Sequence, residues 1–299
     1  MDILVLGGAG QVGTELQAYA WPEGVTVHAP DRAALDITDA EAVARRVAER
    51  PWGAVINTAA YTAVDKAEAE PVAAWRLNAL APAILAAETA RHGIPLVHVS
   101  TDYVFDGARA GAYRPEDPIA PRSVYGASKA GGELAVRAGN PRHAILRTAW
   151  VVSPHRGNFV KTMLRLAAER DRLTVVDDQH GCPTAAADFA AALARVALRM
   201  ADDPDALTGT FHCVNAGTTT WHGFAEAIVA GSAARGGRKV AVAGIPTSAY
   251  PTPARRPANS VLSTESLEAA YGIAMPPWQA SLDTILDRLI GPVTTETSR

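Results

Sequence analysis

Ile3-Leu4-Val5-Leu6-Gly7-Gly8-Ala9-Gly10-Gln11-Val12-Gly13 is the stretch on which the fold turns. Four apolar residues read as a buried first strand, and a helical pattern begins at Gln11. The glycines between them satisfy G-x-G-x-x-G at Gly8, Gly10 and Gly13, and G-x-x-G-x-x-G at Gly7, Gly10 and Gly13. Such glycines permit a tight turn and let the backbone approach a pyrophosphate on the helix N-terminus. A glycine string alone is a weak signal; placed directly after a first strand and before a helix it is a strong one. Gly7, Gly10, Gln11, Val12 and Gly13 are therefore expected to hold a dinucleotide.

Outward from this loop, short apolar segments alternate with helix-like ones. Strands are expected at Ile3–Leu6, Val25–His28, Ala54–Asn57, Leu96–Ser100 and His143–Arg147, with helices near Gln11–Ala20, Ala40–Arg50, Val72–His92 and Val124–Ala138. That alternation predicts an α/β fold, a Rossmann-type doubly wound parallel sheet covered on both faces. Beyond Trp150 the rhythm loosens. Helices near Phe159–Glu169, Ala185–Arg199 and Trp221–Ala234 are interleaved with strands near Leu173–Val176 and Thr210–Val214, then a Pro-broken run Ile245–Pro257. The expected division is residues 1–150 for the dinucleotide, 151–290 as a smaller region packed on that core, mainly for substrate, and a frayed polar tail at 291–299.

Composition narrows the classes. Of 299 residues, 48% are hydrophobic and 20% charged, as in an ordinary globular protein. A net charge of −3 offers no basic footprint for nucleic acid. Cys182 and Cys213 have neither metal-ligand spacing nor a disulfide framework, and His180 beside Cys182 lacks a second ligand pair. Met1-Asp2-Ile3-Leu4 lacks a basic leader, and no apolar run is long enough for a membrane, so a cytoplasmic protein is expected.

Asp31 follows the second strand about 20 residues after the loop, where an acid binds the ribose 2′-OH of NAD. Arg32 beside it fits the 2′-phosphate of NADP instead, so the two signals conflict and cofactor preference is open. Asp36-Ile37 lies in the next turn, either as an adenine-side contact or with Asp36 or Thr38 capping the helix near Ala40. Three further strand ends carry small residues and hydroxyls: Asn57-Thr58-Ala59-Ala60-Tyr61-Thr62, Ser100-Thr101-Asp102 and Arg147-Thr148-Ala149-Trp150. In open parallel sheets the ligand crevice lies at those ends.

Tyr125-Gly126-Ala127-Ser128-Lys129 places a phenol and an ammonium four residues apart, on one helix face. A neighbouring ammonium is expected to lower the Tyr125 pKa and make it a proton donor to a carbonyl that accepts hydride. Together these motifs resemble the dTDP-4-dehydrorhamnose reductases of the extended short-chain dehydrogenase/reductases. The likeness continues through Asn158–Met163, Asp178–Thr184, Gly217–Trp221 and Tyr250–Ser260 and covers residues 1 to about 285.

The resemblance implies reduction of a dTDP-sugar C4 ketone by NADPH or NADH. Tyr125 would be the general acid, and Lys129 would hold the nicotinamide ribose and depress the Tyr125 pKa. Thr101 would bond the reacting oxygen, Asp102 and Trp150 would contact the sugar nucleotide, and Ala60-Tyr61-Thr62 the cofactor. Arg255 and Arg256 suit a diphosphate, although two surface arginines would read the same way. Trp221 suits either a core or a base-stacking surface.

Some relatives bridge a homodimer with Mg²⁺ held by acidic side chains. Here Ala185-Ala186-Ala187 follows Thr184 and the first carboxylate is Asp188, so no metal ligand is assigned, and both Mg²⁺ and a homodimer stay open. Val151-Val152 also replaces an aromatic usual after Trp150. The competing functions are an epimerase or dehydratase that retains NAD, a reductase of another dTDP-deoxysugar, and an NADP-binding regulatory subunit like that of methionine adenosyltransferase.

Overall fold

The structure, a computed structural model, describes residues 1–293; the expected polar tail falls largely on 294–299, outside the described residues. The chain begins β1 (Asp2–Leu6), α1 (Gln11–Ala18), β2 (Thr26–His28), α2 (Ala40–Ala48), β3 (Trp52–Asn57), α3 (Val64–Ala69) and α4 (Pro71–Trp75). A π-helical turn, Arg76–Leu80, leads into α5 (Ala81–Arg91), then β4 (Leu96–Thr101), α6 (Val124–Gly139) and β5 (His143–Thr148). The strands expected from apolar runs are all present.

Alternation along β1 shows how the sheet is covered. Ile3 and Val5 join a cluster with Leu16 of α1 and Phe189, while Leu4 and Leu6 join Val43, Val47, Leu85 and Val136 of α2, α5 and α6. Successive strand residues point to opposite faces, so a strand apolar at every position needs helices on both sides. Each such side chain, fully buried, contributes about 1.5–3 kcal/mol.

After β5 come β6 (Val151–Val152), α7 (Phe159–Glu169), β7 (Arg172–Val176), β8 (His180–Gly181), β9 (Thr184–Ala185), α8 (Ala186–Asp202) and β10 (Gly209–His212). They are followed by β11 (Thr219–Thr220), α9 (Trp221–Ala233), β12 (Ala241–Ile245), α10 (Glu265–Tyr271) and α11 (Trp278–Ile290). The main sheet runs β2-β1-β3-β4-β5-β10, with every pair parallel. Residue 150 is therefore not where the chain leaves the sheet, because α8 and β10 return to it. α8 packs on α1 and β3 through Phe189, Leu193, Val196 and Ala197, a stripe at helical spacing. A separate core of Val160, Met163, Phe224, Ile228, Leu282 and Ile285 joins α7, α9 and α11 beside the parallel pair β7–β12. The Pro-broken run was expected to begin at Ile245, but β12 ends there, and α10 and α11 were not anticipated.

The helix expected at Val72–His92 is interrupted. Pro82 has no N–H to give the Asn78 carbonyl four residues back, and the chain widens so that Ala81 N bonds Arg76 O. The wide turn leaves buried Asn78 to take Tyr61 N on its Oδ1 at 2.8 Å and to donate Nδ2 to Tyr61 O at 3.1 Å and Ser128 Oγ at 3.0 Å. The strand-end segment at 61 and the helix carrying Tyr125 are thereby locked together.

Candidate active site

Parallel pairing brings the carboxyl ends of β1, β3, β4 and β5 to one edge, with Leu6 opposite Asn57 and Thr101 opposite Thr148. A cleft of about 720 Å³ opens there. Its floor is the glycine loop. Gly7 has φ +83°, and a Cβ on it would lie 2.7 Å from Ala59 N; a Cβ on Gly13 would lie 2.3 Å from Gly7 O. Side chains are thus excluded where strand, loop and helix meet. Gly10 caps α1 with no side-chain hydrogen bond, so the helix's first N–H groups are left for a ligand in the cleft. The cradle fits a dinucleotide pyrophosphate. Gly7, Gly10, Gln11 and Val12 line the cleft, whereas Gly13 serves the packing beneath it.

Tyr125 and Lys129 stand on the first turns of α6. Ser123 Oγ caps that helix on Gly126 N at 3.1 Å, and Glu68 Oε1 takes Val124 N at 2.9 Å. The Tyr125 ring meets Tyr103 edge to face, centroids 5.4 Å apart. Burial pushes the Tyr125 phenol up to about 12, against a hydrogen bond with the Thr101 hydroxyl that lowers it. This corrects the expected depression by Lys129. That ammonium, 2% exposed, donates to Val99 O at 2.6 Å, and burial brings its own pKa down to about 8 while Glu133 one turn on opposes the fall. The phenol therefore keeps its proton at neutral pH, which suits a donor.

Asp102 lies beneath Thr101. Its Oδ1 accepts from Thr101 Oγ1 at 2.9 Å and its Oδ2 from Ser260 Oγ at 2.5 Å. Burial raises the carboxyl to about 6, with those two hydroxyls holding it lower than burial alone would. Behind Lys129, Glu133 takes Arg147 Nε at 2.8 Å and Nη2 at 2.7 Å, and Arg137 Nη2 at 2.8 Å. Arg147 is 1% exposed and stacks over Phe105, 4.9 Å from its centroid.

A family model described as RmlD substrate binding domain matches residues 1–290. A dTDP-4-dehydrorhamnose reductase of Burkholderia thailandensis is 47% identical over 287 residues, 93% of this chain and 96% of that one. The chain belongs to the dTDP-4-dehydrorhamnose reductase family. Two solved structures agree. The enzyme of Clostridium acetobutylicum is 40% identical with a TM-score of 0.89 over 97% of this chain and 99% of that one. That of Bacillus anthracis, in complex with NADP, is 34% identical with a TM-score of 0.90 over 96% and 99%.

In this family member Thr101, Asp102, Tyr125, Lys129 and Trp150 share the one cleft with Asp31, Arg32, Asp36, Ile37, Ala60 and Thr62. Tyr61 faces elsewhere. Its hydroxyl donates to Glu70 at 2.7 Å in a neighbouring groove with Lys66 and Arg76, since Asn78 fixes its backbone. Asp36 accepts Thr38 N and Oγ1 at 2.9 and 2.8 Å, and the cap of α2 is Asp39, not Asp36 or Thr38. Arg255 and Arg256 lie outside the cleft lining: Arg255 is exposed, and Arg256 Nη2 pairs with Asp65 at 2.7 Å. Trp221 is half-buried: it packs against the α7–α9–α11 core, lines the cleft, stacks on Trp150 at 3.6 Å and 12°, and leans on Phe159. Trp150 is held there with a left-handed backbone, φ +50°. Asp188 is used in packing, taking Asn215 Nδ2 and Ser281 Oγ. No cluster of three metal-ligating side chains occurs among the described residues, and no helix is long and apolar enough to cross a membrane.

Sequence reasoning missed the turn Ser153–Asn158, which reaches the glycine loop, and Ser260, which reaches Asp102. Asn158 and Ser260 both stood within family-like segments, without a role assigned, and the place of Asn158 as N-cap of α7 was the available signal.

Proposed function

We propose that this protein reduces the C4 ketone of dTDP-4-dehydro-L-rhamnose (dTDP-6-deoxy-L-lyxo-4-hexulose) to the alcohol of dTDP-L-rhamnose. Bound NADPH, or NADH in its place, supplies the hydride to C4. Tyr125 gives its proton to the C4 oxygen as negative charge develops, and the Thr101 hydroxyl donates a hydrogen bond to that oxygen. Lys129 keeps a positive charge behind the phenol and is the group suited to ribose hydroxyls. Thr101 has a single hydroxyl proton, given to Asp102 Oδ1 at 2.9 Å, so its bond to the C4 oxygen forms as that proton turns from the carboxylate to the substrate. The stacked pair Trp150–Trp221 offers an apolar wall for the sugar or base, and region 151–290 supplies that side of the cleft. The observation that carries this reading is the half-buried Tyr125 phenol, hydrogen-bonded to Thr101 and one helical turn from Lys129, in the glycine-loop cleft.

The two cysteines, free and buried, suit the reducing cytoplasm, and a homodimer remains part of the proposal, to be tested by light scattering. The deciding assay follows NADPH absorbance with the keto-sugar generated in place by the upstream epimerase, and identifies the product by NMR. One NADPH oxidised per dTDP-L-rhamnose formed is expected. Protein that binds NADPH but oxidises none with this sugar would refute the substrate assignment.

A further inference from the structure

We propose that Arg156, presented by the turn Ser153–Asn158, clamps the pyrophosphate of the bound dinucleotide against the glycine loop. The inference rests on the dinucleotide reading above. A pyrophosphate brings two negative charges to a loop, Gly7–Gly13, that contains no cation. Among the described residues lining the cleft, the lysines and arginines are Arg32, Lys129 and Arg156. Arg32 follows β2 beside Asp31 and pairs weakly with Asp36 at 3.7 Å, and Lys129 is buried on the Val99 carbonyl. Arg156 is the one that touches the loop. Its Nε donates to Ala9 O at 2.8 Å, and neither Nη has a hydrogen-bond partner among the described residues. One edge of the fork is thus anchored on the loop, and the other keeps donors for paired phosphate oxygens.

The turn is built to hold that pose. Arg156 has φ +55°, a left-handed conformation that costs a side-chain-bearing residue free energy and persists where neighbours enforce it. Those neighbours are identifiable. Ser153 Oγ and Asn158 Nδ2 both donate to Gln11 Oε1, at 2.7 and 3.0 Å. His155 Nε2 lies 3.0 Å from Glu15 Oε1, which also takes Arg288 Nη1 at 2.7 Å. Four side chains within six residues therefore grip the loop or the first helix across more than 130 residues of chain. Asn158 then caps α7, so the clamp is rooted in the substrate-side core.

The test is equilibrium binding by calorimetry to nucleotide-free wild type, Arg156→Gln, Arg156→Lys and, as a charge control, the exposed Arg170→Gln. The probes are NADPH, NADH, ADP-ribose and adenosine 2′-monophosphate, the last lacking a pyrophosphate. Loss of a charge-assisted fork should weaken NADPH, NADH and ADP-ribose by the same factor in Arg156→Gln, about tenfold or more. Arg156→Lys should fall between, and Arg170→Gln should match wild type. Affinity for adenosine 2′-monophosphate and the melting temperature of nucleotide-free protein should not move, and kcat at saturating NADPH should stay near wild type while KM rises. Unchanged dinucleotide affinity in Arg156→Gln overturns the clamp. So does a loss confined to NADPH and adenosine 2′-monophosphate, which would make Arg156 a reader of the 2′-phosphate. A lower melting temperature with loss of every probe overturns it too, as a purely structural role. Wild type that binds none of the dinucleotides would sink the cofactor reading itself, a result separable from failure of the variant alone.

Discussion

Replacing Lys129 by Met should make the protein more stable at neutral pH while removing its catalysis. The ammonium is 2% exposed, and burial lowers its pKa from 10.5 to about 8. Because the folded state binds this proton more weakly than the unfolded chain does, charging Lys129 costs the fold roughly 3 kcal/mol below pH 8. Between about pH 8 and 10.5 that cost disappears, since the folded protein has released the proton while the unfolded chain still holds it. Met fills similar space without the charge but leaves the Val99 carbonyl without its donor, which offsets about 1–2 kcal/mol of the gain. The variant should therefore exceed wild type by about 1–2 kcal/mol at pH 7, a few degrees in melting temperature for a chain of this size. Denaturant unfolding of both nucleotide-free proteins at pH 7 and pH 10 checks this. Other titrating groups are common to both and largely cancel in the difference. The wild type should gain roughly 2–3 kcal/mol on the variant across that interval. A variant less stable at pH 7, or a difference that does not change with pH, would refute the idea that a buried charge is kept here at the expense of stability.

Other outcomes follow from the same geometry. Tyr125→Phe should lower kcat by about two to four orders of magnitude with NADPH affinity retained, as a lost general acid requires; unchanged turnover would remove Tyr125 from that role. Glu133→Gln should destabilise by about 3–5 kcal/mol because it leaves buried Arg147 uncompensated, and Glu133→Gln with Arg147→Met should recover most of that in urea titrations. Asp102→Asn tests the carboxyl raised to about 6: wild type should gain roughly 2–3 kcal/mol on the Asn variant as pH falls from about 7 to 4, the charged form being the disfavoured one. A stability difference flat over that range would place Asp102 in a more solvated setting than the structure shows.

Local signals served where the chemistry is local. The glycine string needed only its neighbours to be understood, because turn, cradle and helix start are consecutive. Tyr125 and Lys129 were legible because a helix fixes their relation within four residues. The electrostatics were not: proximity predicted an acidic phenol, yet burial, which depends on the whole packed wall, outweighs it. Asp36 and Asp39 look alike in sequence, and only the turn decides which one caps α2. Arg255 and Arg256 offered charge without direction, and the ion pair with Asp65 shows where one of them is used.

By itself the sequence determined the parallel layered fold, the nucleotide loop and the acid–ammonium pair. Each rests on periodicity or spacing that survives in an extended chain. The tertiary structure alone decided the return of α8 and β10 to the sheet, the seating of Trp150 on Trp221, and the hydroxyl of Ser260 on Asp102. It also decided the arrival of Arg156 at Ala9. These depend on contacts between residues far apart in the chain, set by the joint packing of several apolar faces, and no short window of sequence encodes that sum.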